Sequence, residues 1–323
     1  MNIWTICGQT VASGGKKQIM LAADMAGCEM PAVMIKGVKP GKTILITAAV
    51  HGDEYPGIAA AIRAAKEIDP AAVTGQILII PCVNTGGFWT GSRDVPSDGA
   101  NLNANYPGKP NGTAGERIAD FFVKDIFPQT DFIIDLHSGS AMEPLTPCLF
   151  FPDTAGDAVR QAAKAAAYVT DIPYLIASTA TTGHYSYAAN SLKIPGLLLE
   201  RGHSGLCKDS WVEAYYRDIR LLLRHLAVYP FDDNHTVCPK KVFHKTIYLS
   251  ALHTGLWFPA ITANTDVKEG DLLGRMEDFF GNTITEYRAQ ADGTVFYYTG
   301  SLAVKQGQAL VAYGLERYAE SNI

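Results

Sequence analysis

Apolar residues in this chain fall into short, unbroken blocks. Residues 43–50 read Thr-Ile-Leu-Ile-Thr-Ala-Ala-Val, and similar runs occupy 77–81, 132–136 and 196–199. Continuous apolar runs of four to eight residues predict strands buried on both faces. Helical patterning lies between and after them, over about 57–68, 114–125, 157–170 and 210–229. The first forty residues are β-rich, with candidate strands at 3–7, 17–22 and 32–36. A Gly/Pro-rich loop runs from Asn84 to Gly112. The expected architecture is α/β, a mixed sheet flanked by helices. Sheets of this kind bind ligands beyond the carboxyl ends of their strands.

The pattern changes after Tyr229-Pro230. Residues 231–239 are polar and proline-bounded and read as a linker. The residues beyond 239 show no convincing helix, only β-rich segments punctuated by glycine. Val267-Lys268-Glu269-Gly270 recurs as Val304-Lys305-Gln306-Gly307. The repeated turn resembles that of a biotinyl- or lipoyl-type barrel-sandwich domain. The division expected is a catalytic domain over 1–230 and a C-terminal all-β, barrel-sandwich-like domain over 231–323. A carrier role is disfavoured, because the segment between the repeats, 275–286, has no lysine to modify. Shaping the cleft, or mediating homo-oligomer contacts, suits this domain better.

Hydrophobic residues make up 47% and charged residues 18%, which is ordinary for a globular protein. The net charge of -5 comes without a basic stripe, which argues against a nucleic-acid partner. No apolar run reaches the length of a membrane span, so no membrane association is expected. The N-terminus lacks the basic start and apolar core of a signal peptide. The expectation is a soluble, cytoplasmic protein whose six scattered cysteines are reduced thiols.

Three apolar strands end in residues with chemistry. The block 43–50 delivers His51-Gly52-Asp53-Glu54, the block 132–136 delivers His137, and the block 196–199 delivers Glu200. Two imidazoles and one carboxylate form a ligand set for a catalytic metal with an open position. Glu200 remains as a free carboxylate. Asp135, two residues before His137 and on the same side of its strand, is a candidate for orienting a ligand. His184, Tyr185 and Tyr187 sit in a Gly-bounded segment that is a candidate pocket wall.

Together these segments resemble the succinylglutamate desuccinylase/aspartoacylase family, a branch of the zinc carboxypeptidase-like fold. The resemblance covers about residues 30–225, and the C-terminal β domain is also typical of that family. It implies one Zn²⁺ per chain on His51, Glu54 and His137, with Glu200 as general base and then acid. It implies Arg93 as the residue that, with the metal, stabilises the oxyanion, and Asn103 as a substrate contact. The implied reaction is hydrolysis of the amide of a small N-acyl amino acid. Two positions depart from the family motif, Asn101 where it has aspartate and Ala104 where it has arginine. The missing arginine grips a substrate carboxylate in carboxypeptidase-like relatives, a bidentate task that alanine cannot perform. Arg201 is the candidate replacement. The rival readings are a metallocarboxypeptidase acting on short peptides and a catalytically inactive, zinc-containing ligand-binding protein.

Overall fold

The computed structural model describes residues 3–22, 29–232 and 236–316. Cys28 and part of the expected linker lie outside the described residues; the five described cysteines are all free thiols. Strands β1 (Ile3–Ile6) and β2 (Gln9–Ala12) form a separate hairpin. After it come β3 (Gly15–Leu21), β4 (Met30–Lys36), β5 (Lys39–Ala48), α1 (Tyr55–Glu67), β6 (Thr74–Ile80), α2 (Thr85–Thr90) and α3 (Ala114–Phe121). The chain continues through β7 (Phe132–His137), β8 (Cys148–Pro152), α4 (Asp157–Val169), β9 (Tyr174–Ser178), α5 (His184–Leu192), β10 (Gly196–Glu200) and α6 (Asp209–His225). The remainder is β11 (Lys241–Ser250), β12 (Gly255–Pro259), β13 (Asp266–Val267), β14 (Leu272–Glu277), β15 (Thr283–Arg288), β16 (Gly293–Tyr298), β17 (Ala303–Val304) and β18 (Ala309–Glu316).

A twelve-stranded mixed sheet dominates, in the order β13-β16-β18-β11-β9-β8-β10-β7-β5-β6-β4-β3. Its centre is parallel, with β10, β7, β5 and β6 side by side. Alternation along these strands separates two cores. Ile44, Ile46, Ile134, Leu197 and Leu199 face α1, α4 and α6. Leu45, Ile133 and Leu198 face α3, α5 and the β1–β2 hairpin. Both faces are covered, which is why the central strands read as unbroken apolar blocks.

Before the C-terminal strands, five elements lie outside the sequence expectation: β2, α2, β8, β9 and α5. The β8 sequence Cys-Leu-Phe-Phe-Pro is a short run beside prolines. The α5 sequence His-Tyr-Ser-Tyr-Ala-Ala-Asn-Ser-Leu is too polar and aromatic for a clear helical stripe.

The expectation of a C-terminal all-β, barrel-sandwich-like domain is met in part. After α6 the described residues are all β, but β11 pairs in parallel with β9, and β18, β16 and β13 continue the central sheet beyond it. The remaining strands form a second sheet of order β15-β14-β12-β17, and no barrel closes among the described residues. The physical reason is the open backbone edge of β9, which β11 covers. Pairing between segments so distant leaves no local mark in sequence.

The V-K-x-G repeat is real in three dimensions. Val267 and Val304 each end a two-residue strand. The Asp271 amide then donates to Lys268 O and the Gln308 amide to Lys305 O, closing matching turns. Gly270 (φ +88°) and Gly307 (φ +86°) take the left-handed conformation that these turns need.

Phe243 (0% exposed), Phe296 and Tyr174 pack edge-to-face across the β9–β11 seam. Phe243→Ala is expected to destabilise the protein by about 3–5 kcal/mol in chemical denaturation, the cost of a large core cavity. It should also loosen the join between the two parts.

Candidate functional site

The carboxyl ends of β5, β7 and β10 lie side by side. In register, Leu136 sits opposite Ala48 and Glu200 opposite His137. Beyond β5 the chain turns sharply at Ala49 (φ +51°) and places His51 back over the sheet edge. Gly52 is needed there because a Cβ would stand 2.2 Å from Gly87 C and 2.4 Å from Phe88 N of α2. Asp53 anchors the facing loop, its carboxylate accepting from Ser140 Oγ (3.0 Å) and the Ala141 amide (2.9 Å).

His51, Glu54 and His137 converge. Each offers one donor atom, and these atoms all lie within 4.8 Å of one another. His51 Nδ1 is 2.7 Å from Glu54 Oε1, and His137 Nδ1 is 2.9 Å from Glu54 Oε2 and 3.2 Å from His51 Nδ1. All three residues are at most 3% exposed. The outer ring nitrogens are held from behind: His51 Nε2 by Asn101 Oδ1 (3.1 Å), His137 Nε2 by Asp135 Oδ2 (3.2 Å). Inward donors with outer nitrogens fixed by oxygen acceptors are the arrangement of metal-binding histidines, so these residues fit a zinc ion. At Asn101 an amide oxygen does the orienting that the family motif gives to aspartate.

The site's charges are strongly coupled. Burial pushes the His51 pKa down, and Arg93 adds to this, leaving the ring neutral as a ligand must be. Burial opposes protonation of His137, but the carboxylates of Asp135 and Glu54 outweigh it and hold the pKa well above the ordinary value. Burial alone would raise Glu54, but the two histidines hold it far below the usual carboxylate range. Glu200 moves the other way, raised well above the ordinary value by burial and then by the negative charge of Glu54. Its Oε2 is buried with no hydrogen-bond partner among the described residues. A carboxyl beside a metal-capable cluster with a raised pKa suits proton transfer near neutrality.

The remaining expected residues divide. Arg93 reaches Glu54 Oε1 (3.0 Å) and Ser140 Oγ (2.8 Å) through one nitrogen, which lies 3.7 Å from Glu143. Asn103 lines the same cleft, its Oδ1 accepting from the His184 amide (2.7 Å). Arg201 is placed elsewhere. It follows Glu200, so strand alternation sends it to the opposite face, where Nε donates to Asp218 Oδ2 on α6 (2.5 Å). It does not line the cleft, and so does not replace the arginine missing at Ala104.

The cleft has a volume of about 220 Å³. His51, His137 and Glu200 lie at its base, Tyr185 and Gly183 of the α5 start line one side, and Tyr248 and Tyr297 come from the C-terminal strands. Sequence reasoning missed Glu143 and the two C-terminal tyrosines, which carry no local motif. His184 is not a lining residue. It is fully buried behind the site, with Nδ1 2.5 Å from Tyr106 Oη and Nε2 3.4 Å from Thr47 Oγ1. Thr47 donates to Asp135 Oδ1 (2.8 Å), so the chain of contacts ends on the carboxylate that orients His137. Tyr187 stacks on Tyr106.

The sequence profile of the succinylglutamate desuccinylase/aspartoacylase catalytic domain matches residues 40–226, more than half of the chain. The chain belongs to this family. One relative is N-alpha-acetyl-L-2,4-diaminobutyric acid deacetylase of Halomonas elongata, 28% identical over 265 residues, covering 79% of this chain and 77% of the relative. The product-bound structure of the ectoine utilization protein EutE (DoeB) from Ruegeria pomeroyi matches with TM-score 0.81 and 27% identity over 89% of each chain. Succinylglutamate desuccinylase/aspartoacylase from Rhodobacter sphaeroides matches with TM-score 0.81 and 26% identity, over 94% of this chain and 96% of that one. The family relationship makes the chain an amide hydrolase by descent. Among the described residues no helix is long and apolar enough to cross a membrane.

The outer contacts lead to two expected outcomes. Asn101→Ala is expected to weaken divalent-metal binding by roughly 10- to 100-fold in chelator competition, because His51 loses its orienting acceptor. Burial lowers the His184 pKa to about 4, so the unfolded chain binds the extra proton between the ordinary value near 6.5 and about 4. Stability from this group is therefore complete above pH 6.5 and is lost as pH falls towards 4. Thermal melts should show that acid slope, and His184→Gln should flatten it.

Proposed function

We propose that the chain is a zinc-dependent amidohydrolase that removes the acyl group from a small N-acyl amino acid. The observation carrying this reading is the register of β7 and β10, which sets a free carboxyl, Glu200, beside a convergent His51–Glu54–His137 donor set. The Halomonas relative, named for deacetylation of an N-acetylated amino acid, supports the same reaction class. Zn²⁺, when held by His51, Glu54 and His137, supplies Lewis acidity that lowers the pKa of a water molecule to about 7.

The chain's own residues do the rest. Glu200 takes a proton from the attacking water on its carboxylate and returns it to the leaving nitrogen, which becomes an amine as the C–N bond breaks. The raised pKa lets one carboxyl serve in both directions. Arg93, held by Glu54 and Ser140, provides fixed positive charge for the oxygen that becomes negative on the acyl carbon. Asn101 and Asp135 keep the histidines aimed. Asn103 contacts the substrate at the rim of the α5 start, and Tyr248 and Tyr297 make the C-terminal β part a wall of the cleft. The partner is a small molecule, and the volume of the cleft suits one better than a long peptide.

The test is zinc analysis joined to a substrate panel. N-acyl amino acids, N-α-acetyl-2,4-diaminobutyrate included, are compared with short peptides. The acyl amino acids should be hydrolysed and the peptides should not. Glu200→Gln should retain stoichiometric zinc while kcat falls by roughly 10²- to 10⁴-fold. Wild-type turnover by that variant would remove Glu200 from its role.

A further inference from the structure

The middle residue of the Glu200-Arg201-Gly202 run has no part in the proposed hydrolysis, yet α6 grips it twice. Tyr215 and Asp218 stand three residues apart on α6 and so share one face. Both are fully buried. The Asp218 carboxylate accepts from Arg201 Nε (2.5 Å) and, through its other oxygen, from the Asp171 amide (2.8 Å). The Tyr215 hydroxyl accepts from the Arg201 amide (2.7 Å). A tyrosine hydroxyl has one hydrogen to donate. Here it is shared by carbonyls of two strands, His137 O of β7 and Leu199 O of β10, the latter at 3.0 Å.

The position of this hydroxyl gives it a role. His137 and Glu200 are the last residues of β7 and β10 and sit opposite each other. The next rung between the two strands is the Arg201 amide on His137 O, stretched to 3.3 Å. Past it β10 leaves the sheet at Gly202 (φ +81°). Strand ends with few ladder bonds open at little cost. Tyr215 Oη reaches both atoms of that long rung, the Arg201 nitrogen and the His137 oxygen. It does so from the core on the α6 face and lines no part of the cleft. Any effect it has on the chemistry passes through His137 and Glu200.

We propose that Tyr215, backed by the grip of Asp218 on Arg201, is a positioning residue: its hydroxyl clamps the ends of β7 and β10 and so fixes Glu200 against His137. This rests on the hydrolase reading. Proton transfer and attack depend on close placement, and a displacement of about 1 Å can cost roughly 100-fold in rate. The clamp governs that placement and never meets the substrate, so its loss falls on kcat and spares KM.

Tyr215→Phe removes one oxygen and keeps the ring in the core. The zinc-loaded wild type and variant are assayed with N-acetyl amino acids, and deuterium exchange of the Arg201 amide is followed in both. The variant should bind stoichiometric zinc, keep KM within about two-fold and lose roughly ten-fold in kcat. Its Arg201 amide should exchange faster. Arg201→Lys keeps a cation against Asp218 but loses the Nε donor. It should show the same split with a smaller fall in kcat, and it carries the test should Tyr215→Phe fail to fold. Wild-type kcat in the variant that folds, at whatever loss in melting temperature, overturns the clamp and leaves the hydrolase reading standing. A loss confined to KM does the same. If the wild type hydrolyses nothing in the panel, the hydrolase reading falls. Exchange of the Arg201 amide then decides the clamp, and a rate in Tyr215→Phe as slow as in the wild type overturns it.

Discussion

The parallel pairing of β7 with β5 on one side and β10 on the other is the constraint on which the site depends. It sets Thr47 opposite Asp135 and Glu200 opposite His137, all on the face that carries α5. A strand alternates its faces with a period of two, so a slip of one residue would send Glu200 to the α6 side and bring Arg201 into the cleft. The apolar partners of these rungs, Ile133, Leu136, Leu198 and Leu199, prevent the slip, since it would invert every buried side chain at once. The chemistry is thus registered by hydrophobic residues that never meet a substrate.

Behind the donors lies a second constraint. Asp135 is fully buried, and its carboxylate is shared between Thr47 and His137. Burial would raise its pKa, but His137 and His184 hold it low, so a negative charge persists inside the sheet. Such a charge is tolerable only when paired and hydrogen-bonded. The pairing fixes the plane of the His137 ring, and the Tyr106–His184–Thr47 contacts fix the carboxylate in turn. Asn101 serves His51 with a weaker, uncharged acceptor, which leaves the two histidines unequally supported.

The parts of the site legible in sequence are those at strand ends. His51, Glu54, His137 and Glu200 each close or follow an apolar block, and a buried parallel sheet has its functional edge at the carboxyl ends of such blocks. Asp135 is legible too, through its spacing of two from His137. Arg201 misleads because adjacency to Glu200 suggests nearness, whereas on a strand adjacent residues point apart. The α5 segment reads as an aromatic loop because its buried residues are His184, Tyr185, Ser186 and two alanines, with no large aliphatic residues at helical spacing. Tyr248, Tyr297 and the β9–β11 seam are illegible for a different reason. Each depends on pairing across a long separation in sequence, and neither the apolar pattern nor the turn residues encode a partner.

That seam has a consequence for how the protein comes into being. Synthesis runs from the N-terminus, and a chain that has emerged as far as α6 already carries every residue of the donor set together with Glu200. It still lacks the tyrosines of β11 and β16. It also lacks β18, which lies between those two strands and is the last described strand of the chain. Until β18 leaves the ribosome, β11 and β16 have no strand between them, and the tyrosine wall of the cleft is incomplete. The Glu200 carboxyl and the donor set are therefore made early and their enclosure late, so the order of translation separates the floor of the cleft from its far wall.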